Sequence, residues 1–234
     1  MRKEGRKTGT QSVGNLAPYI GLIAVIIIFT ILTKGALLSG TNLQALMNSV
    51  IVTALATLGA VFVFGAGYFD MSFGGCICFS AVLGAIATVQ SNRLIVGILV
   101  IAAVSLVFGF VKGLFASTVN VPFFIFTIVL GSVLSAVVLV ILGSKSTIFL
   151  SDAEREIFNP TTMQMTVINI VCLAAFLVVC IILFNYTSLG VRVKNMGGNI
   201  ISARQSGIDT RKTTITCFLI SGAGVAIAAF LLLL

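Results

Sequence analysis

One carboxylate interrupts a long apolar run in the first third of the chain. Asp70 lies in the segment GAGYFDMSFGG, residues 65–75, together with four glycines and Ser72. An ionised carboxylate at membrane depth costs on the order of several kcal/mol unless it is paired or hydrated, and helices break there only against protein or water. The segment therefore predicts a broken or re-entrant helix at Asp70. Two roles are open for Asp70, Ser72 and Gly74: capping the helix that starts near Ser72, or lining a translocation path.

A second unusual segment is MGGNIISARQSGI, residues 196–208, which lies between two long apolar runs. Asn199 can cap a helix by accepting a hydrogen bond from a free backbone N–H group, and Gly207 can adopt the left-handed conformation that ends a helix. The pattern predicts a short helix over Ser202–Ser206, held at the membrane surface between two spans.

Other reactive chemistry is scarce. The chain has no histidine and its six acidic residues form no cluster, so the sequence predicts neither a catalytic centre nor a metal site. Its five cysteines lie inside apolar runs without Cys-x-x-Cys spacing, which indicates packing. The segment GSKST, residues 143–147, resembles the end of a phosphate-binding loop, but no glycine stands five residues before Gly143. We therefore expect no nucleotide binding, no cofactor and no enzymatic activity.

The composition determines which elements position these residues. With 59% hydrophobic and 9% charged residues, the chain of 234 residues has too little polar surface for a soluble globule. A helix needs about 20 apolar residues to cross a membrane. The sequence thus predicts an all-α, polytopic transmembrane helix bundle of about seven spans. The predicted spans are Pro18–Leu38, Asn42–Gly65, Met71–Val89, Leu94–Ser117, Pro122–Leu142, Met163–Phe184 and Thr214–Leu234.

The second span carries several polar side chains. Asn42 precedes the apolar run and is predicted to cap this helix. Asn48, Thr53 and Thr57 follow on the same helix, where they could face a polar path across the membrane. Asn48 is therefore included among the candidate translocation residues.

The distribution of positive charge predicts the topology. Residues 1–17 carry four basic side chains and one acidic one, and the apolar stretch that follows lacks a good small-residue cleavage site, which favours a retained anchor. Lys and Arg resist translocation, so we expect a basic cytoplasmic N-terminal segment, 1–17, and a transmembrane domain, 18–234. Seven spans then place the loop 185–213 and a loop from Lys112 to Asn120 in the cytoplasm. This bias accounts for most of the net charge of +8, so no nucleic acid partner is expected.

Three blocks of the sequence resemble a known family. They are Asn42–Gly74, which ends in DMSFG; Asn120–Thr127, NVPFFIFT; and Leu189–Ile208, which contains GGN, AR and SGI. In order and spacing they are similar to the permease subunits of bacterial ABC importers for monosaccharides, of the ribose, xylose and galactose type. These permeases are related to those for branched-chain amino acids and nucleosides.

The resemblance implies a mechanism and partners. Two permease copies or homologues would form the pore in the bacterial inner membrane and contact its lipid, two cytoplasmic ATPase subunits would drive alternating access, and an extracytoplasmic solute-binding protein would deliver the substrate. The coupling helix would dock on the ATPase, and the permease itself would perform no covalent chemistry. The residues that the resemblance assigns to coupling are Gly197, Gly198, Asn199, Ala203, Arg204, Ser206, Gly207 and Ile208.

The chain departs from the family pattern in two places. Ile200 and Ile201 stand where the family often has polar or acidic residues and Pro-Glu. The sequence stops inside an apolar run at Leu231–Leu234, so we expect a transmembrane domain that is shortened at its C-terminus. Three alternatives stay open: a permease for branched-chain amino acids or nucleosides, an ion-coupled secondary transporter with Asp70 as its coupling site, and a structural or regulatory membrane subunit.

Overall fold

The computed structural model describes residues 8–119, 122–143 and 162–233, and these are helical apart from short connections. Several sequence expectations fall outside those ranges. They concern the basic residues 1–7, the dipeptide at 120–121, the phosphate-loop-like residues 144–147, the acidic residues between 152 and 156, and residue 234.

The helices agree closely with the predicted spans. Six of them are long and apolar enough to cross a membrane within the described ranges, and Pro18–Leu32 is a shorter apolar stretch. This confirms the all-α polytopic bundle. The helices are α1 Thr8–Leu32, α2 Gly40–Gly65, α3 Phe73–Ser91, α4 Leu94–Thr118, α5 Phe123–Leu142, α6 Thr162–Tyr186, α7 Ser188–Gly198, α8 Ile200–Gln205 and α9 Thr210–Leu233.

The described residues up to Met47 form one compact unit, and the predicted end of its first span is wrong. The helix ends at Leu32 and is followed by a 3-10 turn, Ala36–Leu38. Lys34 and Gly35 have φ values of 51° and 85°, a left-handed conformation that no α-helix continues through.

The predicted cap of the second helix is also wrong. Helix α2 begins at Gly40, before Asn42, and the Asn42 side chain donates from Nδ2 to the carbonyl oxygen of Leu37 at 2.7 Å. Ser39 Oγ instead accepts from the backbone N–H of Asn42 at 3.3 Å. The helix therefore takes its cap from the serine before the glycine, and the asparagine reaches back to the preceding turn.

The described residues from Asn48 onward form the second unit, in which α9 packs on α4, α3 and α2. Close approach of α9 to α4 requires glycine. A Cβ atom at Gly109 would lie 2.6 Å from the carbonyl oxygen of Phe218, and one at Gly222 would lie 2.8 Å from that of Ser105. Buried side chains fill the space around this crossing: Leu55, Phe62, Val63, Ile101, Phe218 and Val225. Small residues let the backbones approach, as expected where lipid supplies no hydrophobic driving force between helices.

Candidate functional site

The helical run breaks at Asp70 as predicted. Helix α2 ends at Gly65, residues 66–72 form a tight turn with Gly67 at φ +89°, and α3 begins at Phe73. Asp70 Oδ1 accepts hydrogen bonds from the backbone N–H of Ser72 at 2.8 Å and from Ser72 Oγ at 2.7 Å. Each helix on either side is long enough to span the membrane by itself. The carboxylate thus closes the turn and satisfies a free N–H group at the start of α3.

Asp70 is also half of a buried ion pair. Lys112 Nζ lies 2.7 Å from Asp70 Oδ2 and donates to Ser72 Oγ at 3.1 Å. Asp70 and Lys112 are 1% and 2% exposed. The Lys112 ammonium also lies 5.2 Å from the centre of the Phe73 ring, a favourable cation–π distance. A carboxylate and an ammonium that both leave water must compensate each other, so this pair and its serine act as one structural unit.

The loop position predicted for Lys112 is wrong. The charge distribution placed it in a cytoplasmic loop, whereas the predicted span Leu94–Ser117 includes it. The structure agrees with the span, because Lys112 belongs to α4 and is buried. A signal was present: Lys112 is a cation within the apolar run that forms a span, and such a charge needs a partner. The 42 positions that separate it from Asp70 carry no periodic pattern, so the sequence did not indicate which acid the partner would be.

The Asp70 turn and the segment 196–208 are neighbours in space. A Cβ atom at Gly197 would collide with the carbonyl group of Gly65, so the end of α7 lies directly against the end of α2. Tyr68, within the turn, accepts a hydrogen bond at its phenol oxygen from Thr214 Oγ1 of α9 at 3.3 Å. Its ring packs edge-to-face on Phe218, with the ring centres 6.0 Å apart. The structure therefore joins at one end of the bundle two segments that lie far apart in sequence.

Helix α7 was missed in the sequence. It runs from Ser188 to Gly198 and buries Gly190, Val193 and Met196, residues that lie three apart on one face. Arg192 and Lys194 are exposed. This apolar face with cations away from it is a helical pattern, although it is short and ends in two glycines. Because this face of α7 is buried, it attaches the start of the next helix, α8, to the bundle.

Helix α8 has the cap and the terminator that the sequence predicts. Asn199 Oδ1 accepts from the backbone N–H groups of Ile201 at 2.9 Å and Ser202 at 3.1 Å. Gly207 has φ +83°, and its N–H donates to the carbonyl oxygen of Arg204 at 3.1 Å. The helix covers residues 200–205, slightly earlier than predicted. Both ends of this short helix are therefore closed by their own residues.

The two faces of α8 differ. Ala203 is buried at 3% exposure and turns toward the bundle, whereas Ile201 is 67% exposed. Arg204 and Ser206 are exposed as well. The helix is thus a short element, capped at both ends, with an apolar side chain and a cation on its outer surface.

Asp209 connects α8 to α9. Its Oδ1 accepts from the backbone N–H of Lys212 at 3.0 Å, and its Oδ2 lies 3.3 Å from Lys212 Nζ. The hydrogen bond from the Lys212 backbone, assisted by the ammonium, holds the pKa of Asp209 below its usual value. A carboxylate at the start of α9 also suits the positive end of the helix dipole.

A polar cavity of about 280 Å³ lies beside α8. The turn at 66–72 contributes Tyr68 to its wall, and the end of α4 contributes Ser117. Helices α8 and α9 supply the remaining polar side chains, which are Arg204, Thr210, Arg211 and Thr214. Of these polar side chains, only Arg204 was predicted to be functional. The others come together with it only through the packing of four separate segments.

Gly74 and Asn48 lie elsewhere. Gly74 lines a groove of about 500 Å³ between α3 and α5, together with Ser132 and Ser135. Asn48 Oδ1 accepts from Asn169 Nδ2 of α6 at 2.8 Å. Along the axis of α2, Asn48 is about 25 Å from the Asp70 turn at 1.5 Å per residue. The four candidate path residues therefore do not form one site: Asp70 and Ser72 share hydrogen bonds, Gly74 faces a groove next to them, and Asn48 joins two helices far away.

These features define a class: a polytopic α-helical membrane protein in which a capped surface helix and an ion-paired turn between two spans line the same cavity. The family to which the chain belongs follows from residues 42–234, which match the model of the family described as branched-chain amino acid transport system / permease component. The match includes both the Asp70 turn and α8. The chain is a member of this family of permease components.

Two curated proteins are similar to the chain. The xylose transport system permease protein of Haemophilus influenzae is 27% identical over an alignment 282 residues long, which covers 93% of this chain and 75% of that protein. The galactofuranose transporter permease protein of Escherichia coli is 22% identical over 186 residues, which cover 80% of this chain and 54% of that protein. The chain thus spans about half the length of the second relative. No solved structure matches the chain.

Proposed function

We propose that this protein is the transmembrane permease subunit of an ATP-binding-cassette importer for a monosaccharide. The family membership supports a permease, and the two similar proteins are named for xylose and galactofuranose transport. On this proposal the chain lies in the bacterial cytoplasmic membrane with its N-terminus in the cytoplasm. ATP hydrolysis takes place on a separate subunit, a second permease copy or homologue completes the pore, and a solute-binding protein delivers the sugar.

The observation that carries the proposal is the construction of α8. A surface helix this short is marginal by itself, yet Asn199 and Gly207 close both ends and Ala203 anchors it to the bundle. A short helix that is capped at both ends can transmit a force from a bound partner without unfolding. The proposed coupling surface is the segment from Gly197 to Ile208, with Arg204 and Ser206 on its outer side.

The contacts beneath α8 provide a route for motion. On this proposal, closure of the ATPase moves α8 and α7, and the end of α7 pushes on Gly65 at the end of α2. The Tyr68–Thr214 hydrogen bond makes the turn and α9 move together. Asp70, Ser72 and Lys112 keep the turn rigid, so that α2, α3 and α4 tilt as a unit, and Gly74 faces the groove whose width would change.

A permease for branched-chain amino acids is the second candidate, because the description of the matching family names that substrate class. The two candidates share the architecture and the ATPase partner and differ in the transported molecule. Uptake of labelled xylose against labelled leucine by the same membranes separates them.

The test of the proposal is recovery of an ATPase with the tagged chain from host membranes in mild detergent, identified by mass spectrometry. Two variants are compared with the parent. Arg204→Glu reverses the charge on the outer side of α8, and Gly207→Pro forces φ near −65° where the helix end needs +83°. Arg192→Glu on α7 is the control, since it makes the same charge change at another exposed position.

We expect the parent and the Arg192 control to recover a cytoplasmic ATPase and the two α8 variants to lose it. Recovery of the ATPase by all four proteins would show that α8 is not the docking element. No ATPase with the parent chain would overturn the importer and leave an ion-coupled carrier as the better explanation.

A further inference from the structure

The cavity beside α8 has an unbalanced charge. Among the residues that the structure describes, Arg204 and Arg211 line it and no carboxylate does. Within the part of the chain that the structure describes, neither arginine forms an ion pair. The acid nearest in sequence, Asp209, is already paired with Lys212 at 3.3 Å. Two guanidinium groups therefore face the same small space without a counter-ion from these residues.

Hydrogen-bond donors converge on the same space. Arg204 uses one nitrogen in a long contact, 3.5 Å from Nη2 to Thr210 Oγ1, so most of its planar donor group is available. The hydroxyl groups of Tyr68 and Thr214 contact each other at 3.3 Å, and since one hydrogen is enough for this bond, the other remains to donate. Paired cations with additional N–H and O–H donors form the usual surroundings of a bound oxyanion.

The walls of the cavity indicate where the oxyanion comes from. One wall is α8 itself, through Ile200 and Ile201, which are 39% and 67% exposed. The exposed surface of α8 also presents Ser202, Gln205 and Ser206. An apolar anchor among small polar groups is typical of a protein–protein interface, whereas acyl chains would disfavour the polar side chains.

We propose that this cavity receives an aspartate or glutamate side chain of the ATPase, held between Arg204 and Arg211. The inference rests on the proposed function for the existence of that partner and adds the chemistry of the contact. Tyr68 lines the cavity and belongs to the same turn as Asp70. An acidic side chain that enters the cavity is therefore in direct contact with the ion-paired turn as well as with the coupling helix.

The test uses the permease with the ATPase that it recovers from membranes. Arg204→Gln and Arg211→Gln each remove one cation from the cavity, and Arg192→Gln removes an exposed cation from α7. Dissociation of the ATPase from the immobilised permease is followed over a range of salt concentrations. We expect each cavity variant to dissociate about tenfold faster or more, and the control to stay within about twofold of the parent. The cavity variants should also depend less steeply on salt.

The outcomes separate the inference from the proposed function. Unchanged dissociation of the cavity variants, or an equal effect in all three variants, overturns the acidic contact and leaves the importer in place. Loss of copurified phosphatidylglycerol with unchanged ATPase binding assigns the cavity to a lipid headgroup and overturns it too. If the parent recovers no ATPase, the proposed function itself fails. An unchanged thermal midpoint for Arg204→Gln and Arg211→Gln excludes unfolding as the cause of faster dissociation, and Arg211→Lys, which keeps the charge, should restore much of the binding.

Discussion

Replacing Lys112 with methionine removes the cation that compensates Asp70 and leaves its position filled by an apolar chain. The carboxylate would keep its two hydrogen bonds from Ser72, but it would lose the ammonium at 2.7 Å in a place with 1% exposure. Breaking a buried ion pair from one side costs about 3–5 kcal/mol. For a chain of this size, about 2–4 °C per kcal/mol converts that cost to a melting temperature lower by about 6–20 °C.

The chain offers its own reporter for this measurement. Cys180 and Cys217 are buried free thiols, so a thiol-reactive fluorogenic dye reports unfolding of the protein in detergent as they become accessible, above the constant signal of the exposed Cys78. Lys212→Met is the matched control. Its ion pair with Asp209 is exposed, with side-chain exposures of 85% and 49%, so its loss should leave the melting temperature close to that of the parent.

A double variant tests whether the cost comes from the unpaired charge. Asp70→Asn with Lys112→Met removes both charges and keeps an oxygen that can accept from Ser72. We expect the double variant to recover at least half of the loss seen in Lys112→Met, because a buried ion pair replaced on both sides is often close to neutral. The reasoning would be refuted if Lys112→Met had the same melting temperature as the Lys212→Met control. It would also be refuted if the double variant lost as much stability as Asp70→Asn and Lys112→Met added together.

Three further predictions follow from local geometry. Gly109→Ala places a Cβ atom 2.6 Å from a backbone oxygen of α9 and should lower the free energy of unfolding by about 1–3 kcal/mol in the thermal assay. Gly21→Ala is the control, because a Cβ atom there meets nothing within 4 Å and should not destabilise the protein. Equal effects of the two variants would contradict the close helix crossing. Asn199→Ala removes the cap of α8 and should cost about 1 kcal/mol, read as faster hydrogen exchange over residues 200–205; unchanged exchange would contradict the cap. Since the folded-state pKa of Asp209 is lowered, its stabilising contact with Lys212 is complete above the ordinary Asp pKa and is lost as pH falls through the folded value, so the start of α9 should fray in acid. Carboxyl NMR titration and hydrogen exchange measure this fraying, and Asp209→Asn should abolish its dependence on pH. Acid-dependent fraying that persists in Asp209→Asn would assign it to another group.

Local pattern predicted most of the helices and the ends of α8. Composition and apolar length found the spans, since six of the helices are long and apolar enough to cross a membrane. Asn199 and Gly207 were found from residue type and spacing because capping is a local interaction, made within three residues along the chain. The error at Asn42 has the same origin: asparagine and serine compete for the cap, and the choice depends on the left-handed turn before them.

The pairings between distant segments could not be predicted in this way. The Asp70–Lys112 and Asn48–Asn169 contacts link residues 42 and 121 positions apart, and each depends on how the helices pack. The sequence indicated only that Asp70 needs a partner. The cavity with Arg204 and Arg211 is similar, because Tyr68 in its wall belongs to the turn at 66–72 and Ser117 belongs to α4. Charge inside an apolar run is thus a signal that a partner exists, while its identity is a property of the fold.

Energised uptake of labelled xylose into vesicles from membranes that contain the chain tests most directly whether this protein is an ATP-driven permease. We predict uptake that requires ATP and the recovered ATPase, that is lost with Gly207→Pro, and that persists when the ion gradients are collapsed. Uptake that follows an ion gradient without ATP, and that Asp70→Asn uncouples from that gradient, would contradict this function and favour a secondary transporter.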